Sequence, residues 1–230
     1  VIGTDGDRNL GGFDFDNVLS MIIAEKMEAQ GAEDIYTDEK ITAVLREKAE
    51  SVKRSLTTVE QTNVFVDYRG KNYKIPVTRL EFEEASKSLM NRTEELLDDV
   101  MEESGLAWSE VDRVLLIGGS TRMPMVHKKL EEKFGRQITY SINPDEAVAQ
   151  GAAIQAALEM AKKGAGSEVL RELSGKVNVS DVTSQALGVI ALSNNVRKNS
   201  VIIPKNAKVP NKYSGTFYTR TDNQENVLVE

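Results

Sequence analysis

The chain contains no cysteine, a single histidine and five prolines among 230 residues. Without cysteine there is no disulfide, no thiolate zinc ligand and no thiol nucleophile, a profile that suits a reducing compartment. The lone His127 rules out a multi-histidine metal site and leaves little room for a Ser-His-Asp triad. Its position inside a charged helical stretch reads as a solvated surface histidine. Basic charge is also short. Lys and Arg number 29 against 36 Asp and Glu, for a net charge of −7 and a pI near 5.1. Such a field repels a nucleic-acid backbone, so no nucleic-acid partner is expected. No apolar run approaches the roughly 20 residues that span a bilayer, and no signal-peptide pattern is visible. The chain opens on Val1-Ile2-Gly3 rather than Met, which points to a piece of something longer. Its length suits one large domain or two small ones.

What is present begins with Val114-Leu115-Leu116-Ile117-Gly118-Gly119-Ser120-Thr121-Arg122-Met123-Pro124. An apolar run of strand length meets two glycines, and a charged amphipathic segment follows from Met125 to Phe134. The order reads as buried strand, tight turn, helix. Two residues without Cβ let a ligand approach the backbone, and the N–H groups opening a helix favour an anion. Arg122 adds a flat cation that can stack on a base or fork onto a phosphate. On this pattern alone a plain α/β turn without ligand is the favoured account. Asn143-Pro144-Asp145-Glu146 is a second helix start, with an Asn cap, Pro in the first turn and two acids at the positive end of the dipole. A short strand, Gln137 to Tyr140, lies between. The arrangement is α/β, with ligands expected beyond the carboxyl ends of the strands.

Val1 to Gly3 reads as a strand end, and a helix runs from about Asp14 to Gln30 with Phe15, Val18, Leu19, Ile22 and Ile23 at helical spacing. A second helix spans Asp38 to about Leu56. Val64–Tyr68 and Tyr73–Val77 form a hairpin around Arg69-Gly70-Lys71. Thr78 and Glu81 form a capping box for a long third helix reaching Glu103. Glu50, Lys53, Arg54 and Thr57 share one face of the second helix. That face is either solvated, with i,i+4 pairs worth a few tenths of a kcal/mol, or a polar wall offering a stacking arginine to a nucleoside. After Met160 a breaker cluster, Lys162 to Ser167, opens a stretch of weak periodicity that reads as a linker. From Ala186 the texture is β-rich, in runs at Leu187–Leu192, Ser200–Ile203, Thr216–Thr219 and Val227–Val229.

Taken together, Leu10-Gly11-Gly12-x-Asp14-Phe15-Asp16, the Glu50/Lys53/Arg54/Thr57 face, the Gly118-Gly119-Ser120-Thr121-Arg122 turn and Asn143-Pro144-Asp145-Glu146-Ala147 closely resemble DnaK-type chaperones, the heat-shock protein 70 family. The resemblance covers residues 1–160 and, more loosely, the rest. It implies an actin-like ATPase lobe II over 1–163, a mixed sheet with helices carrying a helix-hairpin-helix insert at about 13–86. A linker over 164–185 and an incomplete all-β segment over 186–230, the start of a peptide-binding domain, would follow. It implies ATP or ADP as ligand, with the base between Arg54 and Arg122. Glu50, Lys53 and Thr57 would face ribose and base edge. Gly118, Gly119 and Ser120 would run along ribose and phosphates with Asp145 nearby, and Gly11 and Gly12 complete the nucleotide-binding set.

The family's first lobe, which carries the phosphate loop and catalytic lysine and acids, has no counterpart in these residues. The resemblance therefore implies an ATPase parent, with Mg²⁺ bound only there, and a chain inactive alone. Val189, Ala191, Leu192, Phe217 and Val227 would line part of a peptide channel, with Arg220 where a small residue commonly helps arch over the peptide. Implied partners are a nucleotide-exchange factor, a J-domain co-chaperone and unfolded peptide clients, in the cytoplasm. The alternative is a non-enzymatic docking module for such co-chaperones. Two positions depart from the family pattern. Phe13 stands where an acid is usual, and the segment Lys176 to Ser184 is more polar than the family's leucine-rich linker.

Overall fold

A computed structural model describes residues 1–138, 142–177, 179–193, 196–219 and 221–226. It divides into two compact units. One comprises residues 7–98 and 106–154; the other comprises 1–6, 99–105 and 155–230.

The first unit is built on an amphipathic helix pair. Helix α1, Gly12–Ala29, buries Phe15, Leu19, Ile23 and Met27, one residue per turn along a single stripe. Its start is closed by the Asp14 carboxylate, which accepts from the Gly11 N–H at 2.8 Å. Helix α2, Glu39–Ser55, is capped by Asp38, whose side chain accepts from the Lys40 and Ile41 N–H groups. It packs Ile41, Leu45, Ala49 and Val52 against α1. Strands β1, Gln61–Tyr68, and β2, Lys71–Thr78, pair antiparallel through a two-residue turn, Arg69 and Gly70, both at positive φ. Alternation puts Val64, Val66 and Tyr68 of β1 and Tyr73, Ile75 and Val77 of β2 into the helix-pair core. Tyr68 donates its hydroxyl to the Glu33 carbonyl at 3.0 Å, so its polar tip is satisfied.

The Thr78–Glu81 capping box forms with both reciprocal bonds and opens α3, Arg79–Ala85. Phe82 of α3 meets Phe15 edge to face at 6.3 Å. The expected single helix to Glu103 is two helices. Ser86, at φ −88° and ψ 2°, sits in the bridge region and separates α3 from α4, Lys87–Ser104. A three-residue 3-10 turn, Trp108–Glu110, follows, and a second, Gly119–Arg122, precedes α5, Pro124–Phe134. Pro124 occupies the first helical position and Gly135, at φ 69°, ends the helix.

The strand expected at Val114–Ile117 does not form among the described residues. Leu116 is buried with Leu130 and Ile138, but Leu115 and Ile117 are exposed, and among the described residues the segment has no ladder partner. An apolar run becomes a strand only where a neighbour takes its backbone N–H and C=O groups. Val1–Gly3 is likewise irregular. The strand expected at Gln137–Tyr140 extends beyond the described residues, and Gln137 and Ile138 are irregular. In place of a mixed sheet, the described residues hold three two-stranded antiparallel sheets among helices. His127 lies on α5 half-buried, not fully solvated, because α5 turns its inner side to the core carrying Leu130.

In the second unit, α6 runs Ala147–Lys162, the last part of it belonging here. Part of the expected linker is helical, as α7, Glu168–Lys176. Its Glu168 start and Lys176 end suit the helix dipole, and Glu172 and Lys176 pair at 2.6 Å one turn apart. Strand β3, Asp181–Val182, pairs with β6, Lys208–Val209. Strand β4, Leu187–Ser193, pairs with β5, Val196–Ile203, with an irregularity at Leu187/Gly188. Thr216–Thr219 forms no strand, and Val227–Val229 lies outside the described residues.

Candidate functional site

The candidate site belongs wholly to the first unit. It is an open cleft of ≈ 620 Å³, within the range of small-molecule sites. One wall is the C-terminal half of α2, which contributes Glu50, Lys53, Arg54 and Thr57. Their spacing puts them on one face, while Val52 and Leu56 turn into the core. The facing wall is the 3-10 turn, with Gly119, Ser120, Arg122 and Met123, joined by Asp145.

The turn is shaped by its backbone. Gly118 stands at φ 91° and ψ 151°, a conformation that residues with a Cβ rarely adopt. Its N–H donates to the Pro144 carbonyl at 2.9 Å, which ties the turn to the segment carrying Asp145. The Thr121 hydroxyl closes back on the Gly118 carbonyl at 2.7 Å. The side-chain oxygen of Asn143, expected to cap a helix, instead holds a turn by accepting from the Asp145 N–H at 3.1 Å. The helix proper starts later, at Ala147, after a turn over residues 144–146.

Each cation of the cleft has a carboxylate. Arg54 and Glu50 pair at 2.6 Å one turn apart on α2. Arg122 reaches Asp145 at 2.6 Å across 23 residues of sequence. Both pairs are about half exposed or more, so they orient the guanidinium planes rather than add stability. Lys53 is different. Its ammonium lies 2.7 and 2.8 Å from the two carboxylate oxygens of Asp16 and donates to the Gly12 carbonyl at 3.0 Å. Both side chains are largely buried. A buried charge of this kind persists only when paired.

Of the sequence-derived candidates, Glu50, Lys53, Arg54, Thr57, Gly119, Ser120, Arg122 and Asp145 line the cleft together. Gly118 shapes the turn from behind. Gly12 lies beside the cleft, where a Cβ would come within 3.2 Å of both Lys53 Nζ and Ser120 Oγ. Gly11 precedes α1 and lines no part of the cleft. The Thr57 hydroxyl turns back to the Arg54 carbonyl at 2.7 Å. Phe13 is exposed, with the Arg46 guanidinium 5.0 Å from its ring centre.

Two residues of the site were not among the candidates. Met123, almost fully buried, lines the cleft and also joins the α1–α2 core. Its place between Arg122 and the helix-opening Pro124 was the available signal. Asp16 closes the Gly11-Gly12-x-Asp14-Phe15-Asp16 motif, but only the folded chain brings it to Lys53, 37 residues away.

Of the proposed peptide-channel residues, Val189 and Ala191 are half-buried and Leu192 is exposed on β4. Phe217 lies in an irregular segment, 44% exposed. Val227 and Arg220 fall outside the described residues. Among the described residues no group of three or more His, Cys, Asp or Glu is arranged to hold a metal ion. No helix among them is long and apolar enough to cross a membrane.

A family model described as "Hsp70 protein" matches residues 1–230. The chain is also similar to "Heat shock cognate 70 kDa protein 3" of Dictyostelium discoideum. The two are 36% identical over 233 residues, covering 100% of this chain and 35% of the relative. The chain thus spans about a third of the length of the curated relative it matches.

Proposed function

This chain belongs to the Hsp70 family, and from that premise we propose that its first unit is the adenosine-binding part of an ATP-driven, DnaK-type chaperone. One observation carries the reading. Arg54 and Arg122, from elements far apart in sequence, stand on the same cleft, and each guanidinium is braced by a carboxylate. Two planar cations flanking one cleft suit a flat aromatic base. Each stacked cation contributes about 0.5–2 kcal/mol, more as water is excluded. Glu50, Thr57 and Ser120 supply polar groups along the same walls for a ribose and base edge. Gly119 lets a ligand pass close to the turn that Gly118 shapes, and Gly12 lies beside the cleft. The family likeness adds Gly11 to the set.

The rest of the reading follows from the family. The helices and small sheets belong to an actin-like lobe II, and the segment from 186 onward opens a peptide-binding β domain, with Val189, Ala191, Leu192, Phe217 and Val227 toward unfolded clients. Mg²⁺ and the phosphoryl-transfer groups belong to other parts of the longer protein, so this chain alone does not hydrolyse ATP. The parent works in the cytoplasm with a nucleotide-exchange factor and a J-domain partner. The alternative is a docking role for the helix-hairpin-helix insert, a firmly packed scaffold on which Met21, Tyr36 and Phe65 are exposed.

The test is calorimetric titration of adenosine and ADP into the 230-residue chain beside an Arg54→Ala, Arg122→Ala double variant. Both ligands should bind the parent chain, and the double variant should lose about tenfold or more in affinity. Failure of the folded parent chain to bind, or equal binding by the double variant, would sink the reading.

A further inference from the structure

The β1–β2 hairpin has two edges, and the chain treats them differently. Tyr68 and Lys71 flank the two-residue turn as direct partners and exchange both backbone bonds. From there the pairs alternate. Val66 with Tyr73 and Val64 with Ile75 bond across the hairpin. Asn63, Phe65 and Asp67 of β1, like Lys74 and Pro76 of β2, turn their backbone groups outward instead. The β2 edge is closed. Pro76 has no N–H, its carbonyl accepts from Lys26 Nζ at 2.7 Å, and the Lys74 carbonyl accepts from Gln30 Nε2 at 3.1 Å. Both donors stand on α1.

Proline, lysine and covering side chains are what keep a sheet edge from pairing with another chain. The β1 edge has none of them. Its sequence holds no proline or lysine. Among the described residues β2 is its one strand neighbour, and no hydrogen bond reaches the outward backbone groups of Asn63, Phe65 or Asp67. All three residues are exposed, and the Phe65 ring keeps more than half of its surface in water. We propose that this edge is a homodimer interface, pairing antiparallel with β1 of a second copy about a twofold axis at Phe65. A strand that pairs with itself must match its own sequence read backwards, and this one does so in one register. With the axis at Phe65 the two rings face each other, and Asn63 of each copy stands opposite Asp67 of the other.

There an amide donates to a carboxylate. Asp67 already accepts from Asn72 Nδ2 at 2.7 Å, and a carboxylate has room for further donors. Moving the axis to Val64 or Val66 sets the ring against Asn63 or Asp67, and moving it to Asp67 sets two carboxylates face to face. The outward groups of Asn63, Phe65 and Asp67 then gain the ladder partners that they lack in one copy. Pairing along one short strand covers little area, so the dimer belongs among the weak ones, with a dissociation constant of about 10–100 μM.

The test is sedimentation velocity on the 230-residue chain from about 5 to 500 μM, with amide exchange at both ends of that range. A monomer–dimer equilibrium is expected, and the dimer should protect the Phe65 and Asp67 N–H groups while those of Val64 and Val66, already bonded to β2, stay unchanged. Phe65→Lys sets two ammonium groups face to face and should leave a monomer throughout. Asn63→Lys sets a cation against Asp67 and should tighten the dimer about threefold to tenfold at low salt. Adding Asp67→Lys to Asn63→Lys opposes lysine with lysine and should abolish it, a reversal that damage to the fold does not produce. A monomer at every concentration overturns the inference. So does a dimer that persists in Phe65→Lys, or one that Asn63→Lys weakens. The concentration series on the unsubstituted chain decides the matter even where a variant fails to fold.

Discussion

The β1–β2 and β4–β5 hairpins have almost the same strand lengths and both pair antiparallel, yet they contribute differently to their units. β1 and β2 turn Val64, Val66, Tyr68, Tyr73, Ile75 and Val77 into a core shared with α1, α2 and α3. On β4 and β5 no described side chain is buried, and Leu187, Ile190, Leu192, Val196 and Val201 are exposed. Backbone pairing is similar in the two apart from the irregularity at Leu187/Gly188; burial is not. A two-stranded sheet without a packed face is marginal in water, because its ladder bonds replace bonds to solvent at little net gain. The first hairpin is therefore a structural wall behind the candidate cleft, and the second is held chiefly by its own register.

The units differ in what ties them in the same way. The first is joined by apolar packing around a near-continuous core. The second relies on a polar clasp. Lys205 reaches Asp5 at 2.9 Å and Glu103 at 2.8 Å. Asn206 donates to Glu103 at 2.8 Å and accepts from the Thr4 N–H at 3.1 Å. The clasp draws together segments at 4–5, 103 and 205–206, which no local pattern relates.

The comparison breaks most visibly in paired truncations. Ile75→Ala removes a fully buried β2 side chain and should cost about 2–5 kcal/mol in denaturant unfolding. Ile190→Ala, 43% exposed on β4, should stay within about 0.5 kcal/mol. Equal costs would mean that the second hairpin is packed after all. A smaller effect is expected at Gly188, where an added Cβ would run into the Ser200 carbonyl oxygen. Gly188→Ala should destabilise the β4–β5 pairing by about 1–3 kcal/mol. Amide exchange should then accelerate over residues 187–203 and remain unchanged over 61–78.

The smallest effect concerns pH. The hydrogen bond from Lys205, helped by the Gly6 N–H, holds the Asp5 carboxyl below its ordinary value of 3.8. Glu103 and then Asp5 hold Lys205 above 10.5. A depressed acid stabilises above its unfolded pKa and loses that contribution as pH falls through the folded one. A raised lysine stabilises below its unfolded pKa and loses it as pH rises through the folded one. The clasp should therefore be intact between about pH 4 and 10 and weaken outside that window. NMR signals of Thr4 and Asn206 should shift below pH 4 in the parent chain. Lys205→Met should remove that dependence and cost no more than about 1 kcal/mol.

Local chemistry makes much of the first unit legible in the sequence. The apolar stripe of α1, the Thr78–Glu81 box and the Arg69-Gly70 turn each act over a few residues and form where the sequence placed them, and Asp38, read as the first residue of α2, caps it instead. The residues of the cleft were legible too, because helical spacing alone puts Glu50, Lys53, Arg54 and Thr57 on one face. Less legible was whatever needed a partner distant in sequence. The run Val114–Ile117 has strand composition but no strand beside it among the described residues, and 168–176 is helical despite its weak periodicity.

The sequence by itself determined which segments could be helix or hairpin and which residue types could meet a base, because periodicity, caps and turns are properties of neighbouring residues. Only the tertiary structure decided which charge answers which. Arg122 meets Asp145 and Lys53 meets Asp16 across 23 and 37 residues. Burial, which sets whether a charge must be paired, is a property of the packed chain and of no segment within it.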